Sequence, residues 1–235
     1  MKHLIETTNP SGLAITEYDR LILNSTTNDV LVRGGVTYEY VDLGLPSGLK
    51  WAKCNVGATS ETDYGDYFMW GSTRPNTADE CTWEHAPFNN GSSEYDETYF
   101  SSVKDTVCPN GILAKEYDAA TQIMGGNWRM PTKNELKELI DNTNSVWVPN
   151  YHNSGINGRQ FTSKKNSNSI FIPAAGWCCD GLEYDLNKFV DVWSSSLYTS
   201  LTDSALTLHF SSGSIYVADD SGSRNCGNVV RGVCE

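Results

Sequence analysis

The sequence predicts an α+β domain made of two helices and many short antiparallel strands. Two amphipathic segments near the middle of the 235-residue chain carry helix signals at their ends. The segments that follow them are short, apolar or alternating, and separated by turn residues. Helices followed by a run of short strands are typical of this fold class.

Residues 1–37 predict a small β element of two or three short strands, because an Asn-Pro-Ser-Gly turn signal at 9–12 and a Gly-Gly pair at 34–35 interrupt its apolar segments. From Tyr38 the composition is that of one dense domain, residues 38–235. Within it, the polar stretch 76–105 has few periodic apolar positions, and we expect an irregular surface excursion there.

Each of the two helices has a recognisable end. The first is predicted at about 113–124, where Gly125 and Gly126 provide a left-handed cap. The second begins at Thr132, which forms a capping box with Glu135 three residues later. Its apolar residues fall on one side of the helix, at Leu136, Leu139 and Ile140.

The stretch from Leu197 to Ser223 lacks Lys, Arg, Glu, Gln, Met, Trp and Pro, which are common elsewhere in the chain. Five of these types (Lys, Glu, Gln, Met and Trp) have only codons that end in a purine. The gap therefore indicates a tract written with codons that end in a pyrimidine. The alternative is a polar hairpin that lacks long side chains by chance.

The same tract alternates between apolar and polar residues, which predicts two strands joined by a turn at Ser212-Gly213. One face is expected to be core, with Leu206, Leu208, Phe210, Ile215 and Val217. The other face is expected to tolerate variation, with Thr207, His209, Ser211, Ser214, Tyr216 and Ala218.

Composition narrows the function classes. The net charge is −12 and Lys and Arg do not cluster, so we expect no nucleic-acid partner. No segment has the apolar length of a signal peptide or a membrane span, so we expect no membrane insertion and a protein made and kept in a cytoplasm or in a particle assembled there. The seven scattered cysteines are expected to be mostly reduced thiols, with a Cys226–Cys234 bridge as the alternative.

No catalytic or metal-binding constellation is expected. The four histidines have no ligand or triad spacing, and no cofactor is implied. A group of four carboxylate residues has oxygen ligands of the kind that calcium needs, but a solvated acidic turn is the preferred interpretation. It comprises Asp180, Glu183, Asp185 and Asp191. Three tryptophans in apolar frames are expected to be core residues, namely Trp128, Trp177 and Trp193.

Several ordered motifs carry a family resemblance. They are VDLGLPSGLKWAKCNVGA at 41–58, YGDYFMWG at 64–71, GGNWRMPTKNELKEL at 125–139, IFIPAAGW at 170–177, VWSSS at 192–196 and VVRGVC at 229–234. Over about residues 38–235 the chain resembles the major paralogous domain of Bacteroides-type bacteria and their phages. That domain is similar to the C-type-lectin-like fold of formylglycine-generating enzymes and of the variable proteins of diversity-generating retroelements.

The resemblance implies a cause for the missing residue types. In retroelement variable proteins, a reverse transcriptase copies a template with errors at adenines, which converts asparagine codons into other pyrimidine-ending codons. The copied tract lies at the C-terminus of a C-type-lectin-like domain. Here its frame includes Trp193, Leu208, Phe210, Arg224 and Arg231.

The function implied by the resemblance is non-enzymatic binding of a host-cell surface protein or glycan through the tract 197–223. The expected ligand contacts are Tyr198, Thr199, Leu201, Thr202, Asp203, Thr207, His209, Ser211, Ser214, Tyr216, Ala218, Asp219, Asp220, Ser221 and Ser223. The protein would belong to a phage virion, with residues 1–37 serving attachment or homo-oligomerisation. The alternatives are a bacterial cell-surface adhesin and, least favoured, a formylglycine-generating-type oxidase using Cys226 and Cys234.

Overall fold

A computed structural model gives the structure of the chain. It describes the backbone of residues 7–8, 14–15, 30–33 and 36–235, and the side chains of residues 38–218 and 222–235. Strands account for 33% of the residues and helices for 20%, in agreement with the predicted α+β class.

Three α-helices lie in the middle of the chain: α1 (Glu97–Val107), α2 (Ala119–Met124) and α3 (Lys133–Asn142). The strands before them are β1 (Thr7–Thr8), β2 (Ala14–Ile15), β3 (Val30–Arg33), β4 (Val36–Asp42), β5 (Lys50–Ala52) and β6 (Tyr67–Phe68). The strands after them are β7 (Thr143–Val148), β8 (Gly158–Ser163), β9 (Ser169–Pro173), β10 (Trp177–Cys179), β11 (Leu182–Tyr184), β12 (Phe189–Leu197), β13 (Ser204–Ser211), β14 (Ile215–Ser223), β15 (Asn228–Val229) and β16 (Val233–Cys234).

The strands form one large sheet and several smaller ones. The largest has the order β14-β13-β12-β15-β6, and only its β12–β15 pair is parallel. A four-stranded sheet has the order β16-β5-β4-β3, so the last strand of the chain pairs with a strand near residue 50. The strands β7-β8-β9 form a third sheet, and β10 and β11 form a hairpin.

The capping box at the start of α3 is confirmed. The Thr132 side chain accepts a hydrogen bond from the Glu135 amide, and a Glu135 carboxylate oxygen accepts one from the Thr132 amide at 2.8 Å. The Arg129 guanidinium also pairs with Glu135 at 2.6 Å, and the buried residues Leu136 and Leu139 face the core.

The first predicted helix is shorter than expected. Residues 115–117 form a 3₁₀ turn, and α2 begins only after Asp118, whose carboxylate accepts from the Thr121 amide at 2.8 Å. The N-cap Asp118 thus separates a short 3₁₀ turn from the helix, where the sequence pattern predicts a single helix.

The expectation of an irregular excursion over 76–105 is wrong in its last part, which is α1. Asp96 caps this helix by accepting from the Tyr99 amide at 2.8 Å. Phe100 and Val107 are buried and Val103 is partly buried against the same core. Only three apolar residues in an otherwise polar segment mark the helix, so its stability comes mainly from packing.

Two of the three tryptophans expected in the core are there. Trp128 and Trp193 are 1% and 0% exposed. Trp177 is different, because it is only partly buried and stacks on Tyr184 across the β10–β11 hairpin with a ring-centre distance of 4.4 Å. A two-stranded hairpin has one face open, which explains the partial exposure.

The alternative pairing of Cys226 with Cys234 is also corrected. Cys226 forms a disulfide with Cys179, 47 residues earlier in the chain. Cys234 is a free thiol in β16, in a different sheet. The alternative Cys226–Cys234 bridge is therefore wrong, whereas five of the seven cysteines are free thiols, in line with the expectation of mostly reduced cysteines.

The predicted N-terminal element, residues 1–37, lies largely outside the described residues. The described part shows β1 paired with β2, and β3 paired with β4. None of the helices in the described part has both the length and the apolar character of a membrane-spanning helix.

Candidate functional site

The tract 197–223 forms one edge of the five-stranded sheet. It contains the end of β12, a loop over 198–203, β13, the turn at 212–213 and the edge strand β14. Phe210 pairs with Ile215 and Leu208 pairs with Val217 in the antiparallel register. The hairpin and its turn are thus as the alternation predicts.

The inner face of this hairpin is part of the core. Leu208 and Phe210 are both 0% exposed, and the Phe210 ring meets Phe161 edge-on at 6.0 Å between ring centres. Ile215 and Val217 pack against the same cluster, which also contains the apolar side of α3. Substitution on this face therefore disturbs packing.

The outer face carries a row of aromatic rings across three strands. The His209 ring lies 5.3 Å from the Phe189 ring and 4.9 Å from the Tyr216 ring. Tyr216 is 48% exposed. Asp191 Oδ1 accepts from the Thr207 hydroxyl and contacts His209 Nδ1, both at 3.0 Å. Side chains of β12 that lie outside the tract thus contact the side chains of Thr207 and His209 within it.

Among the described side chains of β13 and β14, the outer face is accessible near the turn but buried further along, which corrects the expectation for Thr207 and Ala218. Both residues are 0% exposed, and they pair with each other across β13 and β14. The alternation of polar and apolar residues predicts an exposed outer face only where no other part of the chain covers that face. Here the outer face is covered, since the neighbouring Asp191 is buried as well. Neither Thr207 nor Ala218 can contact a ligand unless the sheet opens.

Beyond Ala218 the strand β14 is irregular. The register passes from Thr207–Ala218 to Ala205–Gly222, so residues 219–221 stand opposite the single residue 206. Such a bulge takes the backbone out of regular pairing. The expected contacts Asp219, Asp220 and Ser221 fall on it, and their side chains lie outside the described residues.

The loop over 198–203 is held by the neighbouring fold. The Thr202 hydroxyl lies 2.7 Å from the Tyr95 hydroxyl, 107 residues away in sequence. The Tyr198 amide donates to the Ser204 carbonyl at 3.1 Å. Leu201 is 55% exposed at the tip of the loop. The excursion before α1 therefore shapes this part of the tract.

Arg224 fixes the same loop from the other side. Its Nε donates to the Thr202 carbonyl at 2.8 Å, and its amide donates to the Asp203 carbonyl at 2.9 Å. The buried guanidinium is surrounded by aromatic rings, and burial lowers its pKa. These rings belong to Trp70, Trp83, Tyr95 and Phe100.

The expected contact residues thus fall into three groups. Ten are exposed or half-exposed: Tyr198, Thr199, Leu201, Thr202, Asp203, His209, Ser211, Ser214, Tyr216 and Ser223. Thr207 and Ala218 are buried, and the three residues of the bulge are not described at the side-chain level. A cleft of about 440 Å³ between α3 and β14 adjoins the first group and is lined in part by Tyr216 and Lys137.

Three residues outside the tract contact it and were not predicted from the sequence, namely Phe189, Asp191 and Tyr95. The alternation of Phe189 and Asp191 just before Val192-Trp193 is a local signal, since it places both on the same face of β12. Tyr95 had no such signal, because only the fold brings it to Thr202.

Comparison with known proteins gives one family. The family model of the Lcl C-terminal domain matches residues 44–233. No curated protein and no solved structure shows a significant match to the chain.

Proposed function

Because this chain belongs to the family of the Lcl C-terminal domain, a family of the retroelement variable-protein and Bacteroides paralogous type, we propose that it is a non-enzymatic receptor-binding protein with a diversified C-terminal surface. The observation that carries the proposal is the division of the tract 197–223. Leu208 and Phe210 on its inner face are fully buried and Ile215 and Val217 are partly buried against the same cluster, while ten of its predicted contact residues are accessible.

A diversified surface needs a scaffold that tolerates change. Leu208 and Phe210 hold the hairpin on the core, whereas substitutions at Thr199, Leu201 or Tyr216 remove few buried contacts. Tyr, Ser, Thr and Asp on the accessible side are also the residue types of adaptable binding surfaces. The C-type-lectin-like architecture is part of the proposal, and the pairing of β16 with β5 supports a closed domain whose ends meet.

The proposed surface is long. The loop over 198–203 and the turn at 212–213 lie at opposite ends of β13, whose eight residues span roughly 25 Å. Tyr198 bonds to Ser204 and Tyr216 stands opposite His209, five residues further along β13, so a partner that contacts both tyrosines must bridge roughly 17 Å, as a protein or a glycan of several sugar units on a host cell can.

The Cys179–Cys226 disulfide supports a place of action outside a reducing cytoplasm. A phage virion fits this requirement, and so does the second candidate, an adhesin on a bacterial surface. A neighbouring reverse-transcriptase gene with a near-copy of the tract rich in AAC and AAT codons would identify the diversified protein.

We expect the codons of the gene to show whether the tract 197–223 was diversified. Codons at the predicted variable positions should end in C or T, since copying errors at adenines leave the final pyrimidine unchanged. These positions are Thr199, Thr202, Asp203, Thr207, His209, Ser211, Ser214, Tyr216, Asp219, Asp220 and Ser223. Sequencing the coding DNA tests this directly, and purine-ending codons at several of them would contradict diversification.

The double variant Tyr198→Ala/Tyr216→Ala is expected to weaken binding to host cells at least about 100-fold, because a few aromatic residues carry most of the energy in such interfaces. Binding is measured with labelled protein on intact cells, and circular dichroism verifies the fold. The control Tyr64→Ala removes a half-buried tyrosine outside the tract and should leave binding unchanged.

Calcium dependence separates the proposal from a lectin mechanism. Binding should persist in a calcium chelator, since none of the described residues forms a cluster suited to a metal ion. If the double variant bound normally and the chelator abolished binding, the proposal of a diversified binding surface would be wrong and a calcium-dependent site would be indicated.

A further inference from the structure

Four of the seven cysteines meet in one region of the fold, although only two of them are bonded. Cys179 and Cys226 form the disulfide. Cys178, the neighbour of Cys179, lies with its Sγ 3.3 Å from Sγ of Cys81. Both Cys81 and Cys178 are 0% exposed. The polar stretch 76–105, the β10–β11 hairpin and the segment just after the tract therefore converge on two adjacent cysteine pairs.

The backbone holds the second pair in place. Cys178 and Gly227 exchange two backbone hydrogen bonds, at 2.9 and 2.7 Å. The Asp180 amide donates to the Cys81 carbonyl at 2.9 Å, and the Gly181 amide donates to the Ala78 carbonyl at 3.0 Å. Both cysteines thus lie on segments joined by hydrogen bonds on either side of the sulfurs, so a bond between them requires little backbone movement.

Gly227 provides the space for the two sulfurs. A Cβ at this position would lie 2.5 Å from Sγ of Cys178 and 2.8 Å from Sγ of Cys81. Any larger residue would displace at least one of the thiols. The absence of a side chain at Gly227 therefore allows the two sulfurs to lie in contact.

We propose that Cys81 and Cys178 are the site of a second disulfide, adjacent to Cys179–Cys226 and formed by exchange with a small-molecule or protein disulfide. In the first step the Cys178 thiolate attacks one sulfur of the oxidant, forming a mixed disulfide and releasing one thiolate. The Cys81 thiolate then attacks Sγ of Cys178 and releases the second. The two cysteines lose two protons and two electrons, and the oxidant becomes two thiols.

The surroundings favour Cys178 as the first nucleophile. Its hydrogen bond with Cys81 lowers the pKa of Cys178, against the opposing effect of burial, and the Gly227 amide acts in the same direction. Because both sulfurs are buried in the folded chain, the oxidant reaches Cys178 late in folding, when Cys81 and Gly227 already lie beside it.

A Cys81–Cys178 disulfide would stabilise the part of the fold next to the tract 197–223. Together the two disulfides would join Cys81, the hairpin and Cys226, which lies three residues after β14. A cross-link next to the tract would offset the stability that random substitutions remove. The proposal itself concerns only the cysteines and does not depend on which ligand is bound.

The direct test is peptide mapping of the wild-type protein after refolding in oxidised and reduced glutathione. Free thiols are alkylated under denaturing, non-reducing conditions before digestion and mass spectrometry. We expect a Cys81–Cys178 linkage and alkylation of the three remaining thiols, Cys54, Cys108 and Cys234. Alkylated Cys81 and Cys178 beside an intact Cys179–Cys226 bond would overturn the proposal, and so would a linkage of Cys81 to Cys179 or Cys226.

A pair of variants adds a stability readout. Cys81→Ser should lower the Tm of the oxidised protein by about 5 °C or more and make Cys178 reactive after denaturation. Cys108→Ser is the matched control, a buried cysteine with no sulfur partner among the described residues, and should leave the Cys81–Cys178 linkage intact. Equal Tm values for Cys81→Ser and the wild type under oxidising conditions would contradict the cross-link.

Discussion

Arg231→Met is expected to lower the free energy of unfolding by about 3–5 kcal/mol, because it leaves several buried acceptors without a donor. The fully buried guanidinium donates to Asn55 Oδ1, to the Ala52 carbonyl and to the Phe171 carbonyl, each at 2.9 Å. Burial lowers its pKa to about 10, so the side chain is still charged at neutral pH. Urea denaturation followed by tryptophan fluorescence measures the change.

Two further variants make the Arg231 result interpretable. Arg74→Met removes an exposed arginine that pairs with Glu80 at 2.9 Å, and it should cost less than about 1 kcal/mol. Arg231→Lys keeps the charge but loses the planar set of donors, so we expect an intermediate cost of about 1–3 kcal/mol. Equal costs for Arg231→Met and Arg74→Met would show that the buried bonds contribute little.

Phe210→Ala is expected to cost about 3–5 kcal/mol, since it removes a fully buried ring from the cluster beneath the tract. Tyr216→Ser, in the paired strand, should change the free energy of unfolding by no more than about 1 kcal/mol because its ring is 48% exposed. Thermal and urea unfolding of both variants compare the two faces directly.

The same comparison tests the correction on the outer face. Thr207→Ala should be more costly than Tyr216→Ser despite the smaller change, because the Thr207 hydroxyl donates to Asp191 in a buried site. Similar small effects for Phe210→Ala and Tyr216→Ser would mean that the inner and outer faces are wrongly assigned.

Several features follow from residues close together in the chain. The turn at Ser212-Gly213 and the alternation of Leu208 and Phe210 predict the hairpin with its inner face, because strand periodicity and turn chemistry are local. The capping box of Thr132 and Glu135 predicts the start of α3 for the same reason, since both hydrogen bonds close within three residues.

Other features depend on contacts between distant segments. The burial of Thr207 and Ala218, the contact of Tyr95 with Thr202 and the choice of Cys179 as the partner of Cys226 all join residues brought together only by the fold. The alternation in the tract determines which residues share a face of the strand. Whether that face meets water is decided by tertiary packing, because a side chain is exposed only where no other part of the chain covers it.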